Sequence, residues 1–311
     1  MVDKPAAPPQ PPPRLAPSAA LPFYDVWQRV RDALMALPGY FRSETSITGL
    51  HATDIFTLGA TLGATIEDQV VSTLNAMRAV WDPDEKYALF RFIRQPQTFP
   101  DVLLARRTLG ESATAEIAFG IELKSWYLLA KEAEPSFRYL ATARACADLD
   151  LLVIVPWFLS NVISGSPVVL EPYIESSQYA ALYRNFFWSH VRQAKGDASI
   201  VVPKDIQPYP KKSDNISDHA TQDTGKNFGR IARTGLIESY VERMKRELVA
   251  GIEARYWLQF FKMFQEHDDP GKIAAVFKRL EKEIGADSGG RDASSFGLSL
   301  LDAVRQQFSL D

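Results

Sequence analysis

The chain has 311 residues, 46% apolar and 23% charged, enough for one large domain or two modest ones, with a sizeable core. A net charge of −3 argues against indiscriminate nucleic-acid binding, and the single cysteine, Cys146, excludes an intrachain disulfide and a cysteine-based zinc cluster. No apolar run reaches the roughly 18 residues of a membrane span, so no membrane partner is expected.

Residues 1–22 hold eight of the twenty prolines and no apolar periodicity, which predicts an extended, mobile tail outside the fold. The tail also lacks the basic-then-apolar order of a secretory leader, and with one cysteine the expected location is the cytoplasm. Phe23, Trp27, Val30 and Leu34 predict a helix over 23–36, ending near Pro38-Gly39. Ile66, Val70, Leu74 and Met77 predict a second over 62–80, with Glu67 in its first turns. The periodicity then changes, and turn residues at 82–84, 95–96 and Gly110 bracket two strands over 87–93 and 102–106. The clearest strand covers 115–124: Ile117, Phe119, Ile121 and Leu123 share one face, while Glu116, Ala118, Gly120, Glu122 and Lys124 share the other. Pro135 and the Ala, Arg and Leu content of 137–147 predict a helix, followed by a buried strand over 149–158. A helix between two strands implies a crossover joining parallel neighbours. Beyond that, helices are expected over 179–191, 235–265, 272–284 and 293–308, with a polar loop over 203–234.

Pro100-Asp101 opens one strand and Glu122-Leu123-Lys124 ends the next, placing two carboxylates and an ammonium on adjacent strands. Glu122 and Lys124 must share a face, and an antiparallel hairpin through Gly110 lets Asp101 face Glu122. Two close carboxylates repel, a divalent cation relieves the repulsion, and oxygen ligands of this kind select hard metals such as magnesium. A lysine beside such an ion can orient a water, so the chemistry implied is phosphodiester hydrolysis. Pro83-Asp84 with Asp84-Glu85-Lys86 repeats the letters without an intervening strand and is set aside as a turn.

These residues resemble the signature of the PD-(D/E)xK nuclease superfamily, whose core is helix, three strands, helix, strand. The match covers about 62–159, and the remaining length resembles that of a type II restriction endonuclease. The resemblance implies a mixed α/β fold, a restriction-endonuclease-like core with added N- and C-terminal helices, in a single nuclease domain over 23–311. It implies a magnesium ion on Asp101, Glu122, the Leu123 backbone carbonyl and, through a water, Glu67, with Asp101, Glu122, Lys124 and Glu67 as the catalytic set. The partners implied are double-stranded DNA and a second copy of the chain in a homodimer. A repair or structure-selective nuclease on the same core and a non-catalytic DNA-binding protein are the alternatives.

Residues 184–246 carry twelve Lys or Arg against seven acids, a local excess of five positive charges in an acidic chain. Within it Lys211, Lys212, Asn215, Lys226, Asn227, Arg230 and Arg233 are the side-chain types that meet phosphates and base edges, and they are the expected DNA contacts of the 160–311 extension. Tyr183, Phe186, Phe187 and Trp188 read as helix packing, with base stacking as the other possibility. His51, His190, His219 and His267 are too scattered for a ligand set.

Overall fold

The computed structural model describes residues 9–50, 52–95, 97–106, 116–193, 195–231, 235–266, 271, 275, 278–280 and 282–283. Gly110, Arg233, His51, His267 and the helix expected over 293–308 lie outside the described residues, as does most of 272–284.

The fold is mixed α/β. Helix α1 (Tyr24–Tyr40) buries Val26, Val30, Ala33, Leu34 and Leu37, and it runs through Pro38 instead of stopping before it. Proline that close to the end forfeits little, and the Phe41 N–H still closes the last turn on the Leu37 carbonyl at 2.9 Å. The tail in front is without helix or strand from residue 9 to 18, but it is fastened: the Arg14 guanidinium meets Glu175 at 2.7 Å and lies over the Tyr179 ring. Helix α2 (Leu58–Ala76) starts four residues earlier than expected, because Leu58 and Leu62 continue the buried stripe of Ile66, Val70 and Leu74. Glu67 therefore lies in the helix interior and not in its first turns. A short helix α3 (Arg78–Trp81) follows.

Strand β1 (Phe90–Arg94) begins three residues late, since the Asp82 carboxylate takes the Tyr87 N–H at 3.0 Å and ties 82–90 into turns. It pairs antiparallel with β2 (Val102–Arg106), which pairs antiparallel with β3 (Glu116–Tyr127). β3 runs parallel to β4 (Leu151–Leu159), every residue of which is buried, as expected of a central strand covered on both faces. The far edge of β4 pairs with β5 (Pro167–Val169) along its C-terminal end and β6 (Tyr173–Ser176) along its N-terminal end.

The connection from β3 to β4 does link parallel neighbours, but the helix expected over 137–147 is absent. That segment is extended, with one 3-10 turn at Ala143–Ala145; it bridges Arg138 to Arg230 and Ala141 to Ser217. The Tyr139 N–H goes to the Gly229 carbonyl and the Thr142 N–H to the Ile216 carbonyl, both at 2.8 Å. Long-range backbone pairing has overridden a weak local preference.

Helix α4 (Ser177–Phe186) continues into a π-helical turn at Phe187–Val191. The short strands β7 (Ile200–Val201) and β8 (His219–Ala220) pair across the polar loop. The single helix expected over 235–265 is instead helix α5 (Glu238–Met244), a hairpin of β9 (Leu248–Val249) and β10 (Ile252–Glu253), and helix α6 (Ala254–Glu266). Ala250 and Gly251 both have positive φ, 50° and 81°, the geometry of a tight two-residue hairpin turn.

Arg184 on α4 fastens this half to the core. Buried, it donates to the Tyr139 carbonyl at 2.6 Å and the Ala141 carbonyl at 3.1 Å, and pairs with the fully buried Asp218. Arg184→Leu leaves the Asp218 carboxylate without its cation and is expected to cost about 3–5 kcal/mol, read as a lower urea midpoint of unfolding. No helix among the described residues is long and apolar enough to cross a membrane.

Candidate active site

β3 outlasts its neighbour. The β2–β3 register runs from Arg106↔Glu116 to Val102↔Ile121, so beyond Ile121 no β2 residue remains to pair with that edge. On an antiparallel edge the N–H and C=O of one residue face the same neighbour, so Leu123 and Ser125 present their polar groups toward the gap. Two acids answer them. The Asp101 carboxylate accepts the Leu123 N–H and Glu67 accepts the Ser125 N–H, each at 3.2 Å. Buried backbone donors need partners, and here carboxylates stand in for the missing strand.

Asp101 lies just before β2, and its own N–H reaches the Glu122 carboxylate at 3.3 Å. Lys124 closes the group, its ammonium 2.7 Å from Asp101 Oδ2 and 2.8 Å from Glu122 Oε1. Glu122 and Lys124 share the face of β3 that carries Trp126, which packs toward Tyr240 of α5. The opposite face meets α2, where Gly59 and Gly63 allow close approach to Tyr127 and Ser125. The sequence pattern named Asp101, Glu122 and Lys124, and the structure brings these three together.

Glu67 is adjacent to the trio but not part of it. Its carboxylate stands on the α2 side, where Arg94 of β1 approaches within 3.6 Å. Among the described residues no three His, Cys, Asp or Glu side chains form a ready-made metal cage.

The electrostatics follow from burial. Desolvation pushes the Glu122 carboxyl up to about 7, against the pull of the nearby Lys124 charge. Burial also lowers Lys124, but Glu122 and Asp101 outweigh it and hold the ammonium above its ordinary value. Glu67 is raised as well, by burial first, with the Lys124 charge opposing. Glu122 and Glu67 are thus raised chiefly by loss of solvent, a cost that a bound cation would offset. That donor set, two carboxylates with the Leu123 carbonyl facing the same gap, fits a hard divalent cation such as magnesium.

Two supports hold this corner, of which the sequence signals Gly120, small on the face of Glu122 and Lys124, but not Asp150. Asp150, just ahead of β4, accepts the Gly120 N–H at 2.6 Å, the Ala147 N–H at 2.8 Å and the Tyr209 hydroxyl at 3.2 Å, and burial raises its carboxyl to about 6. Gly120 is the floor under Pro100: a Cβ there would come within 2.2 Å of the proline ring and 3.0 Å of Asp150 Oδ1. Gly120→Ala must push the Pro100-Asp101 corner off β3. It is expected to destabilise the fold by about 1–3 kcal/mol and to impair the site although no ionisable group changes; unfolding midpoint and activity, measured together, check this.

The basic loop divides in two. Its first part is pinned at the rim of the site, because Tyr209 reaches Asp150 and the Lys212 ammonium meets Gln97 Oε1 at 2.9 Å. Lys211 and Asn215 are exposed beside it. Its second part, which carries the exposed Lys226, lies against the 137–147 crossover, and there Asn227 and Arg230 border a separate cleft with Phe187 and Trp188. The set-aside turn packs on α1, with Arg29 3.2 Å from Asp84 and Lys86 2.6 Å from Asp25.

Comparison with known proteins found no matching family model, no matching curated protein and no matching solved structure. The reading of the site rests on its own geometry.

Proposed function

We propose that this protein is a magnesium-dependent deoxyribonuclease that hydrolyses phosphodiester bonds of double-stranded DNA at a specific sequence, in the manner of a PD-(D/E)xK type II restriction endonuclease. The observation that carries the reading is the shared ammonium: Lys124 lies 2.7 Å from Asp101, just ahead of β2, and 2.8 Å from Glu122 of β3, at an edge that β2 leaves open.

Asp101, Glu122 and the Leu123 carbonyl would hold the ion, with Glu67 joining through a water. When bound, magnesium supplies Lewis acidity toward a phosphate oxygen and a more acidic water. The chain's own residues do the rest. Lys124 has three N–H donors and spends two on the carboxylates, so one remains to orient a water or meet a phosphate oxygen. Its side chain is 21% exposed, which leaves it within reach of substrate. Glu122, held near neutrality by burial while the ion is absent, would give up its proton on taking the ion. The Leu123 N–H and the Lys124 ammonium both hold the Asp101 carboxylate, fixing its orientation. Lys211, Lys212 and Asn215 at the rim supply the cations and amide that would meet the DNA backbone.

A homodimer, with two such sites addressing the two strands of a twofold-symmetric target, completes the proposal. Incubation with phage DNA and magnesium is expected to give discrete bands with constant end sequences. Cleavage restricted to branched DNA would move the assignment to a structure-selective nuclease, and no cleavage of any DNA would remove it.

A further inference from the structure

We infer that the cleft between the π-helical end of α4 and the 222–230 loop is a nucleotide pocket, built to take one planar base together with its phosphate. Its volume is about 450 Å³, within the usual range for small-ligand sites.

The floor is aromatic and buried: Trp188 and Phe228 meet edge to face with centroids 5.2 Å apart. Over Trp188 lies Arg192, its guanidinium carbon 3.8 Å from the indole centroid. Trp188 is buried and Arg192 covers its ring, so the flat, positively charged outer face of the guanidinium is the surface left for a base to stack on.

The rim is polar and exposed, with Gln222, Thr224 and Asn227 offering amide and hydroxyl groups suited to base edges. Charge favours an anion. Arg192 and Lys195 line the cleft against one acid, Asp223, whose oxygens already accept the Asn227 N–H at 2.7 Å and the Phe228 N–H at 3.0 Å. Of the other lining cations, Arg184 is neutralised by Asp218 and Arg230 faces Glu134 at 3.9 Å. In the walls, the buried Trp188 Nε1, Arg192 Nε and Arg230 Nε find no acceptor among the described residues. Buried donors without acceptors are uncommon, and three around one cleft favour an occupant rich in acceptors.

The pocket has two possible sources of ligand, a free mononucleotide or a nucleotide extruded from a strand, and the second rests on the nuclease reading. Binding is measured in EDTA, so neither arm depends on cleavage. The full-length protein is titrated with each 2′-deoxynucleoside 5′-monophosphate, with inorganic phosphate, with a fully paired duplex and with the same duplex carrying one mismatched nucleotide.

The expected result is that a mononucleotide, or the mismatched over the paired duplex, binds at least about tenfold better than inorganic phosphate or the paired duplex, respectively. Arg192→Gln and the rim variant Lys195→Ala should each remove most of that preference, while Asp101→Asn leaves it unchanged. Because Arg192 also donates to the Asp197 carbonyl, Lys195→Ala and Asn227→Ala serve as variants that spare that contact. Preference for the monophosphates assigns the free source, and preference for the mismatched duplex alone assigns the extruded one. Equal binding of inorganic phosphate and mononucleotide with no duplex preference, or a preference that survives all three pocket variants, overturns the inference. Loss of cleavage in Asp101→Asn with pocket binding intact separates this result from the fate of the nuclease reading.

Discussion

Lys124→Ala is expected to lower DNA cleavage by about a thousandfold or more while leaving magnesium binding intact or tighter. The two effects part because the ammonium and a divalent ion want the same oxygens, Asp101 Oδ2 and Glu122 Oε1. Removing the lysine removes a competitor for the metal, yet it also removes the one donor placed to hold a water or a phosphate oxygen. Without metal, the variant leaves two carboxylates facing each other in a largely buried place, so it should be less stable than wild type above neutrality. Magnesium should then raise its melting temperature more than it raises that of the wild type. Calorimetric titration with magnesium and a thermal melt with and without the ion check both halves. Loss of magnesium binding together with Lys124 would show that the lysine is not a competitor and would remove this account of the pair.

Magnesium affinity should also depend steeply on pH, through Glu122. Its carboxyl is held at about 7, above its ordinary 4.5, so below neutrality a metal must displace a proton to use it. One proton released corresponds to an affinity gain of about tenfold per pH unit. The rise is expected from about pH 5 to about pH 7, with a plateau above. The metal-free fold should run the other way. A carboxyl raised in the folded state contributes stability that is fully present below 4.5 and is lost as pH rises through about 7. Glu122→Gln should flatten both profiles, since the amide neither titrates nor binds the ion well. A magnesium affinity constant from pH 5 to 8 would show that Glu122 is not a ligand.

The site was legible in the sequence to the extent that it depends on strand alternation. Glu122 and Lys124 are two apart on a strand whose apolar residues alternate, and Pro100-Asp101 precedes a short apolar run, so period two placed them correctly. Glu67 was legible as an acid on the preceding helix. Its distance from the trio was not, because it depends on where α2 begins and how far Gly59 and Gly63 let that helix slide along β3.

Asp150 offered no signal, since one acid before an apolar strand looks like any turn residue, and its role comes from Gly120 and Tyr209, 30 and 59 residues away. The crossover was misread for the same reason: Ala141, Ala143 and Ala145 favour helix, but backbone partners at 216 and 229 were not visible from local composition. The Ala250-Gly251 turn, by contrast, carries a glycine signal in the sequence, but the apolar pattern on both sides of it reads as one continuous helix.

The most direct test compares wild type, Asp101→Asn and Glu122→Gln on one DNA, each with magnesium and with EDTA. The account predicts cutting by the wild type with magnesium alone, and none by either variant although both remain folded by circular dichroism. Cleavage in EDTA, or cutting by either variant at the wild-type rate, would contradict it.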